Sequence, residues 1–282
     1  MTPIGVLGAG SLVADGLLPR LRDRGPVVTL SRRDDPGRAP SEPVPDWVSL
    51  APIWGVPELF GRLEAHGVRH IVALSSTSVL TKASAGDPGE QAVAARLAAG
   101  EQRLIAWAEP RGIAWTILRP TLIWGHGRDG NVSRIAAIVR RVGAFPVLGE
   151  AAGRRQPIHA DDVATACLAA LAAPAAAGHV YAITGGETLR YRDMVERVFA
   201  ALGRTPRIVS VPLPLIRAGI ALARWLPGGA DLTPGMAERM NRDLVFDASP
   251  AANDFGFAAR GFAPRAADLL PGVSDRRRRT AP

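Results

Sequence analysis

The chain has 282 residues, of which 47% are hydrophobic and 21% charged, so it can form one large domain, or a domain with a smaller lobe, around a substantial core. Its single cysteine, Cys167, excludes a disulfide framework, and we see no secretory leader and no uninterrupted apolar run of about 18 residues. We therefore expect a soluble, cytoplasmic protein without a membrane span, with an amphipathic surface helix at 216–226 as the less favoured alternative. The formal net charge is +8, and we interpret residues 273–282, which include "RRRR", as a basic disordered tail rather than a nucleic-acid-binding segment.

Strands and helices alternate along the first part of the chain. Apolar runs predict strands at 3–7, 26–30, 46–53, 69–76 and 114–120. Helices are predicted between them at 11–24, 57–67 and 90–112. Strands that are apolar almost throughout and alternate with helices are typical of a parallel sheet buried on both faces. The sequence therefore predicts an α/β fold with a doubly wound, Rossmann-type parallel sheet, in which ligands bind at the carboxyl ends of the strands.

The pattern changes after residue 124. A glycine-rich loop at 125–131 precedes an amphipathic helix at 132–143, and a short strand with a helix occupies 155–174. A further strand is predicted at 179–185, and the remainder is mainly helical. We expect a dinucleotide-binding domain formed by 1–124 and 154–185, and a smaller, mainly helical substrate lobe formed by 125–153 and 186–272.

A glycine-rich turn joins the first predicted strand to the first helix. Gly8 and Gly10 permit a tight turn and let the backbone approach a pyrophosphate closely, and the helix N-terminus offers free N–H groups to the anion. Ser11 and Leu12 open that helix. We predict that these four residues bind the pyrophosphate of a dinucleotide, and a plain glycine turn is the alternative.

The end of the second predicted strand distinguishes between two cofactors. Proteins that bind NAD usually carry an acidic residue there, which holds the ribose 2′-hydroxyl. Here the strand ends in "TLSRRDD", so that Arg32 and Arg33 precede the first carboxylate, Asp34. Because arginine pairs with a 2′-phosphate, we expect NADP(H) to be preferred over NAD(H). The alternative is that both arginines are simply exposed.

Several segments together resemble one family. They are "GAGSLVA", "SLAP", "SSTSV", "TILRPTLIWGHGRDGN" and "RQPIHADDVATA". In these segments the chain resembles the short-chain dehydrogenase/reductase superfamily, specifically the extended and atypical members of its NAD-dependent epimerase/dehydratase group, over roughly residues 3–265. The resemblance implies a nicotinamide cofactor and makes a homodimer formed through the helix at 90–112 plausible.

The resemblance also implies roles for single residues. Ser76 matches the family's catalytic serine or threonine, which hydrogen-bonds the reacting oxygen. Contacts with the cofactor are implied for Leu50, Ala51, Pro52, Ser75 and Pro120. Contacts with the substrate are implied for Trp124, Arg128 and Arg155, of which Arg155 matches an arginine that clamps the diphosphate of a nucleotide sugar. Asp162 matches an aspartate whose role is more structural than catalytic.

The chain departs from the family at its proton-transfer dyad. Active members carry Tyr-x-x-x-Lys on the long helix after the serine strand, where the tyrosine exchanges the proton and the lysine lowers its pKa. Here Val93 and Leu97 stand at those two positions. Lys82, Arg96 and His126 are candidates to replace the dyad, and an exposed or structural role is the alternative for each.

Two functions remain open at this stage. The first is an NADP(H)-dependent oxidoreductase or epimerase that acts on a nucleotide sugar or a related small carbonyl or alcohol, with phosphate held by Arg155. The second is a dinucleotide-binding sensor, assembly factor or structural subunit without turnover, which the missing dyad favours. The five histidines show no metal-ligand spacing and there is no cysteine cluster, so we predict no metal.

Overall fold

The computed structural model describes residues 2–34, 42–83, 86–215 and 239–270 of the chain. Its strands are β1 (Ile4–Leu7), β2 (Val27–Leu30), β3 (Asp46–Ser49), β4 (His70–Leu74), β5 (Ala114–Pro120), β6 (Ile123–Trp124), β7 (Phe145–Leu148), β8 (Arg154–Arg155), β9 (Ile158–His159), β10 (His179–Ile183), β11 (Leu189–Arg190) and β12 (Ile208–Val211). Its helices are α1 (Ala14–Arg22), α2 (Phe60–Ala65), α3 (Ser78–Thr81), α4 (Pro88–Ala108), α5 (Val132–Val142), α6 (Ala160–Ala172), α7 (Tyr191–Ala201), α8 (Ser249–Phe255) and α9 (Ala266–Leu269). No helix among these residues has both the length and the apolar composition that crossing a membrane requires.

The described chain divides into two compact units. The first is formed by residues within Met1–Thr121, Ile158–Thr184 and Phe246–Arg260. The second is formed by residues within Leu122–Pro157, Gly185–Val245 and Gly261–Pro282. The segment 246–260, which includes α8, therefore packs with the first unit, although the sequence assigns it to the substrate lobe.

A six-stranded sheet is the centre of the first unit. Its order is β10-β5-β4-β3-β1-β2, and every neighbouring pair is parallel. The chain winds outward from β1 in both directions, first to β2 and then through β3 to β10. This order confirms the doubly wound parallel sheet that the alternating pattern predicts.

Helices flank this sheet, and its strands are buried as the apolar runs require. Alternate residues of a strand face opposite sides, so Ile71 and Ala73 of β4 enter one core cluster together with Leu97 and Leu104 of α4. The other side of the sheet is covered by α6, which contacts β3, β4 and β5 and packs against α1. Cys167 lies fully buried on α6, and burial raises the pKa of its thiol to about 12.

Several predicted boundaries differ from the structure by a few residues, among them those on either side of a 3₁₀ segment. The strand expected at 46–53 ends at Ser49, because a 3₁₀ segment at Ile53–Leu59 begins directly after Pro52. This segment continues into α2, which ends at Ala65 shortly before Gly67 at φ 68°. The strand at 114–120 has the predicted bounds.

The second unit has its own apolar core. The amphipathic helix α5 contributes Val132, Ile135, Ala136 and Val139, and α7 contributes Met194, Val195, Val198 and Phe199. Two short strand pairs complete it, parallel between β7 and β12 and antiparallel between β8 and β11. The amphipathic stretch at 216–226 and the basic tail at 273–282 lie outside the described residues.

Candidate functional site

Most of the predicted cofactor residues lie at one edge of the six-stranded sheet. Because the strands are parallel, the residues that follow or end β1, β2, β3, β4 and β5 meet at the same edge. Backbone hydrogen bonds continue the pairing there: Leu50 N–H donates to Leu7 O at 2.8 Å, and Ser75 N–H donates to Leu118 O at 2.8 Å. The sheet thus brings the glycine turn, the "SRRD" segment, the "LAP" segment and the serine segment together.

The glycine turn has two glycines with different surroundings. Gly8 has φ 77°, and a Cβ atom there would lie 2.6 Å from Ala51 N and 2.9 Å from Leu50 C. Gly10 is exposed, and a Cβ atom there would meet nothing within 4 Å. Gly8 is thus required for the close packing of the turn on the segment after β3, while Gly10 borders open space beside the start of α1. This arrangement fits the pyrophosphate of a dinucleotide.

The side chain of Ser11 forms a hydrogen bond within the turn. Its Oγ accepts a hydrogen bond from Val13 N–H at 3.2 Å, and its N–H donates to Gly8 O at 2.9 Å. A serine hydroxyl therefore satisfies one of the N–H groups at the helix start that would otherwise be unpaired.

The segment after β2 is exposed and rich in charge. Asp34 folds back, so that its Oδ2 accepts from Ser31 N–H at 2.6 Å, and hydrogen bonds from Ser31 lower the pKa of the Asp34 carboxyl. Arg32 Nη1 lies 3.3 Å from Glu58 Oε2 in an exposed ion pair, and Arg33 is exposed. The Asp34 carboxylate is therefore already hydrogen-bonded within its own turn.

A third arginine, whose position the sequence does not indicate, contacts the turn after β2. Arg62 of α2 donates from Nη1 to Ser31 O at 2.8 Å and to Asp34 O at 3.3 Å. Arg62 reaches this turn because α2 packs beside the end of β2. The sequence around Arg62 does not indicate this contact, because the turn lies about 30 residues earlier in the chain. The arrangement places Arg62 against the turn that carries Arg32 and Arg33.

The hydroxyl groups after β4 have distinct partners. Ser75 Oγ donates to Glu101 Oε1 at 2.5 Å, and Thr77 Oγ1 donates to Pro120 O at 3.2 Å. Glu101 is 5% exposed and is held by Arg119, whose Nε lies 2.9 Å from Oε1 and whose Nη2 lies 2.5 Å from Oε2. Ser75 thus joins a partly buried ion pair between α4 and β5, so a structural contact fixes its orientation.

Ser76 has a different arrangement. Its Oγ accepts a hydrogen bond from Ser78 N–H at 3.1 Å, and among the described residues its O–H donates to no acceptor. The Ser78 N–H stabilises negative charge on the Ser76 oxygen, which makes the hydroxyl a better donor. The structure therefore leaves the Ser76 hydroxyl able to donate to a reacting oxygen at the carboxyl edge of the sheet.

The two dyad positions lie in an apolar environment. Leu97 is 4% exposed and belongs to the core cluster beneath α4, and Val93 packs against the same cluster. Neither side chain can exchange a proton. This stretch of α4 is therefore used for packing.

The three candidate replacements occupy different places. Arg96 lies with its guanidinium carbon 4.5 Å from the centre of the Trp54 ring, and Lys82 follows the last residue of α3. His126, in the second unit, adopts φ 54° between Gly125 at φ 122° and Gly127 at φ 64°. Three consecutive positive φ values make 125–127 a strained turn, which only the flanking glycines tolerate easily.

The predicted substrate residues of the second unit have unequal exposure. Trp124 is 2% exposed and packs edge-to-face on Phe262 with ring centres 4.8 Å apart. Arg155 is 4% exposed, and burial lowers its pKa to about 10, so it remains charged at neutral pH. Arg128 is exposed.

Asp162 has the structural role that the sequence suggests for it. Its carboxylate accepts from Arg260 N–H and Nε–H, and Arg260 Nη2 lies 2.8 Å from Oδ1. Asp162 thus ties the returning segment 246–260 to the first turn of α6. Within the described ranges, no group of three or more His, Cys, Asp or Glu side chains is placed to hold a metal ion.

Comparisons with known proteins find a matching family and several similar reductases. The model of the NAD dependent epimerase/dehydratase family matches residues 53–184. The chain is 29% identical to the 2-alkyl-3-oxoalkanoate reductase of Stenotrophomonas maltophilia over 229 residues, which is 73% of this chain and 69% of that enzyme. The chain spans between half and two thirds of the length of the next three curated relatives it matches.

Solved structures share the fold at low sequence identity. The structure of MoeE5 in complex with UDP-glucose and NAD is similar with a TM-score of 0.64 and 20% identity, covering 99% of this chain and 100% of the other. The structure of RMD from Pseudomonas aeruginosa complexed with NADPH is similar with a TM-score of 0.62 and 16% identity, covering 92% of this chain and 94% of the other. At such identities the likeness shows the fold.

Proposed function

We propose that this chain, whose residues 53–184 match the NAD dependent epimerase/dehydratase family, binds NADP(H) and interconverts a small carbonyl compound and its alcohol. Ser76 carries the proposal: its oxygen accepts from Ser78 N–H, and its O–H donates to no acceptor among the described residues. The relative from Stenotrophomonas maltophilia, a 2-alkyl-3-oxoalkanoate reductase by name, supports a ketone as the substrate.

Each proposed residue has a physical task. Gly8, Gly10, Ser11 and Leu12 hold the pyrophosphate, and the cofactor also contacts Leu50, Ala51, Pro52, Ser75 and Pro120. Bound NADP(H) supplies a hydride from its nicotinamide ring. Ser76 donates a hydrogen bond to the carbonyl oxygen and stabilises the negative charge that develops there. The proton that completes the alcohol comes from water, because Val93 and Leu97 have none to give.

Removal of the Ser76 hydroxyl tests this proposal. We expect Ser76→Ala to reduce ketone-dependent oxidation of NADPH by about 10²–10³-fold, the usual effect of losing one such donor, while the Kd for NADPH stays unchanged. NADPH binding is measured by fluorescence titration, and turnover with a panel of 3-oxo acids is measured by absorbance.

Ser78→Ala is the matched control, since it removes a hydroxyl two residues away and keeps the backbone N–H that contacts Ser76. We expect its activity to equal that of the wild type. Full turnover by Ser76→Ala would contradict the assigned role of Ser76.

The preference for NADP(H) is part of the proposal. Arg32 and Arg33 lie in the turn after β2, Arg62 donates to this turn, and the Asp34 carboxylate accepts from Ser31 N–H. The ion pair of Arg32 with Glu58 is exposed, so a phosphate can displace it at small cost. We propose that this cluster holds the 2′-phosphate of NADP(H).

Arg62→Ala tests the preference. We expect the variant to bind NADPH about tenfold or more weakly and to bind NADH as the wild type does, because a charge-assisted hydrogen bond contributes on the order of 1.5–3 kcal/mol. Arg69→Ala is the control, since Arg69 is exposed and precedes β4 at the opposite edge of the sheet. Tighter binding of NADH than of NADPH by the wild type would overturn this preference.

A dinucleotide-binding role without turnover is the second candidate. The apolar packing of Val93 and Leu97 favours it, because the helix offers no proton donor at the family's positions. Saturable NADPH binding together with the absence of turnover across the 3-oxo acid panel would favour this role over the reductase.

A further inference from the structure

Arg155 is committed to contacts within the second unit. Its Nη1 donates to Arg154 O at 2.8 Å and to Arg242 O at 2.5 Å, and its Nη2 donates to Arg239 O. Its guanidinium carbon lies 5.7 Å from the centre of the Tyr191 ring. The charged group is therefore enclosed by backbone carbonyls and an aromatic face, with 4% of the residue exposed.

These contacts use the donors that a diphosphate needs. A guanidinium has five N–H groups, and bidentate recognition of a phosphate uses two that point the same way. Both N–H groups of Nη1 and one of Nη2 have carbonyl acceptors, so three of the five donors are engaged. A phosphate could bind across Nη1 and Nη2 only by displacing at least one of these carbonyls.

Two of the three carbonyls, those of Arg239 and Arg242, belong to a segment that is held by several further contacts. We call residues 239–245 the strap. Leu244 N–H donates to Arg154 O at 2.9 Å, and Gly153 N–H donates to Met240 O at 3.0 Å. Asp243 forms an ion pair with Arg154 at 2.7 Å.

Further contacts hold the strap closely against β8 and the turn before it. Asn241 Nδ2 donates to Leu148 O at 2.7 Å, and a Cβ atom on Gly153 would lie 2.5 Å from Arg242 O. The strap therefore lies directly against the backbone of Gly153. The hydrogen bonds from Arg155 to Arg239 O and Arg242 O add to this set of contacts.

We propose that Arg155 anchors the strap instead of clamping a diphosphate, and that the substrate is a small carbonyl compound without a nucleoside diphosphate. This inference rests on the proposed function and narrows its substrate class. Trp124 agrees with it, because its ring is packed into the core of the second unit against Phe262. Two of the three residues that the resemblance assigns to the substrate are thus committed to contacts within the second unit.

Binding of UDP and UDP-glucose to the full chain tests the substrate class. Isothermal titration with NADPH present is expected to show no saturable binding of either compound to the wild type. Saturable binding that is lost in Arg155→Met would overturn the inference.

Limited trypsin digestion tests the anchoring role. We expect Arg155→Met to speed cleavage after Arg239 and Arg242 about tenfold, because the strap opens more often without its anchor. Peptides that end at these residues are quantified by mass spectrometry. Arg141→Met is the matched control, since Arg141 is exposed on α5, and its digestion should equal that of the wild type.

A second variant keeps the test valid if Arg155→Met does not fold. Asp243→Asn weakens the strap at its ion pair with Arg154 and leaves Arg155 in place, and it should also speed cleavage after Arg239 and Arg242. Unchanged cleavage in Asp243→Asn, or in a folded Arg155→Met, would overturn the anchoring role. NADPH binding is measured on the same samples, so a failure of the proposed function is recognised separately, by loss of that signal in the wild type.

Discussion

At the scale of single residues, Gly8 and Gly10 have different surroundings in the turn that we propose to bind the pyrophosphate. Gly8 has a left-handed backbone and lies against Ala51 and Leu50, so its missing side chain serves the packing of the turn. Gly10 has open space above it, so its missing side chain serves whatever approaches the turn from outside. Glycine is therefore needed for packing at position 8, and we propose that it is needed for cofactor binding at position 10.

Alanine substitutions should separate these two roles. Gly8→Ala is expected to lower the free energy of unfolding by about 1–3 kcal/mol from backbone strain alone, with more from the clash at Ala51. Gly10→Ala is expected to change stability by less than about 0.5 kcal/mol, yet to weaken NADPH binding about tenfold or more. Urea unfolding and fluorescence titration of both variants check this, and full-affinity NADPH binding by Gly10→Ala would count against the pyrophosphate site.

At the scale of elements, α4 lies unusually close to the 3₁₀ segment that precedes α2. A Cβ atom on Gly100 would lie 2.8 Å from Trp54 N and 2.9 Å from Ile53 C. Glu101, the next residue, pairs with Arg119 of β5 and accepts from Ser75. One turn of α4 therefore fixes both the 3₁₀ segment and the serine segment.

Gly100→Ala should disturb this contact. We expect the free energy of unfolding to fall by about 1–3 kcal/mol, since the added methyl meets backbone atoms that cannot move aside cheaply. Gly55→Ala is the control in the same region, because a Cβ atom there would meet nothing within 4 Å. Chemical denaturation checks the difference, and equal stability of the two variants would refute the close approach of α4.

Elements with a periodic apolar pattern could be predicted from sequence, and those held by polar contacts could not. The strands of the large sheet are apolar runs, so β5 has its predicted bounds. The strap has no periodic pattern of apolar residues. It is held by backbone carbonyls and by the pair Arg154–Asp243, whose members are 89 residues apart in the chain. Likewise Glu101 and Arg119 come into contact only when α4 packs beside β5. From the sequence alone, each is an ordinary charged residue.

At the scale of the whole molecule, the two edges of the sheet in the first unit carry different types of residue. The carboxyl edge carries the glycine turn and the hydroxyl groups. The amino edge carries His70 at the start of β4, Asp46 at the start of β3, and His66 just after α2. His66 is 8% exposed and packs edge-to-face on Trp47 with ring centres 5.3 Å apart. The proposed cofactor site and the two histidines thus lie at opposite edges of this sheet.

The two histidines predict how stability depends on pH. Burial lowers the pKa of both imidazoles, aided at His66 by the charge of Arg62 and opposed at His70 by Asp46. The unfolded chain takes up protons below about pH 6.5, whereas the folded chain keeps these groups neutral to a lower pH. The free energy of unfolding should therefore be highest above about pH 6.5 and should fall as the pH drops below it, before carboxyl groups titrate.

Urea unfolding at a series of pH values across this window, at fixed ionic strength, measures the slope. The double variant His66→Asn, His70→Asn should flatten it, whereas His179→Asn, at an exposed histidine at the start of β10, should leave it unchanged. The comparison uses the slope rather than the absolute stability, because replacing buried rings also costs packing. An equally steep slope in the double variant would show that other groups control the response to acid, and the amino edge of the sheet would then have no part in it.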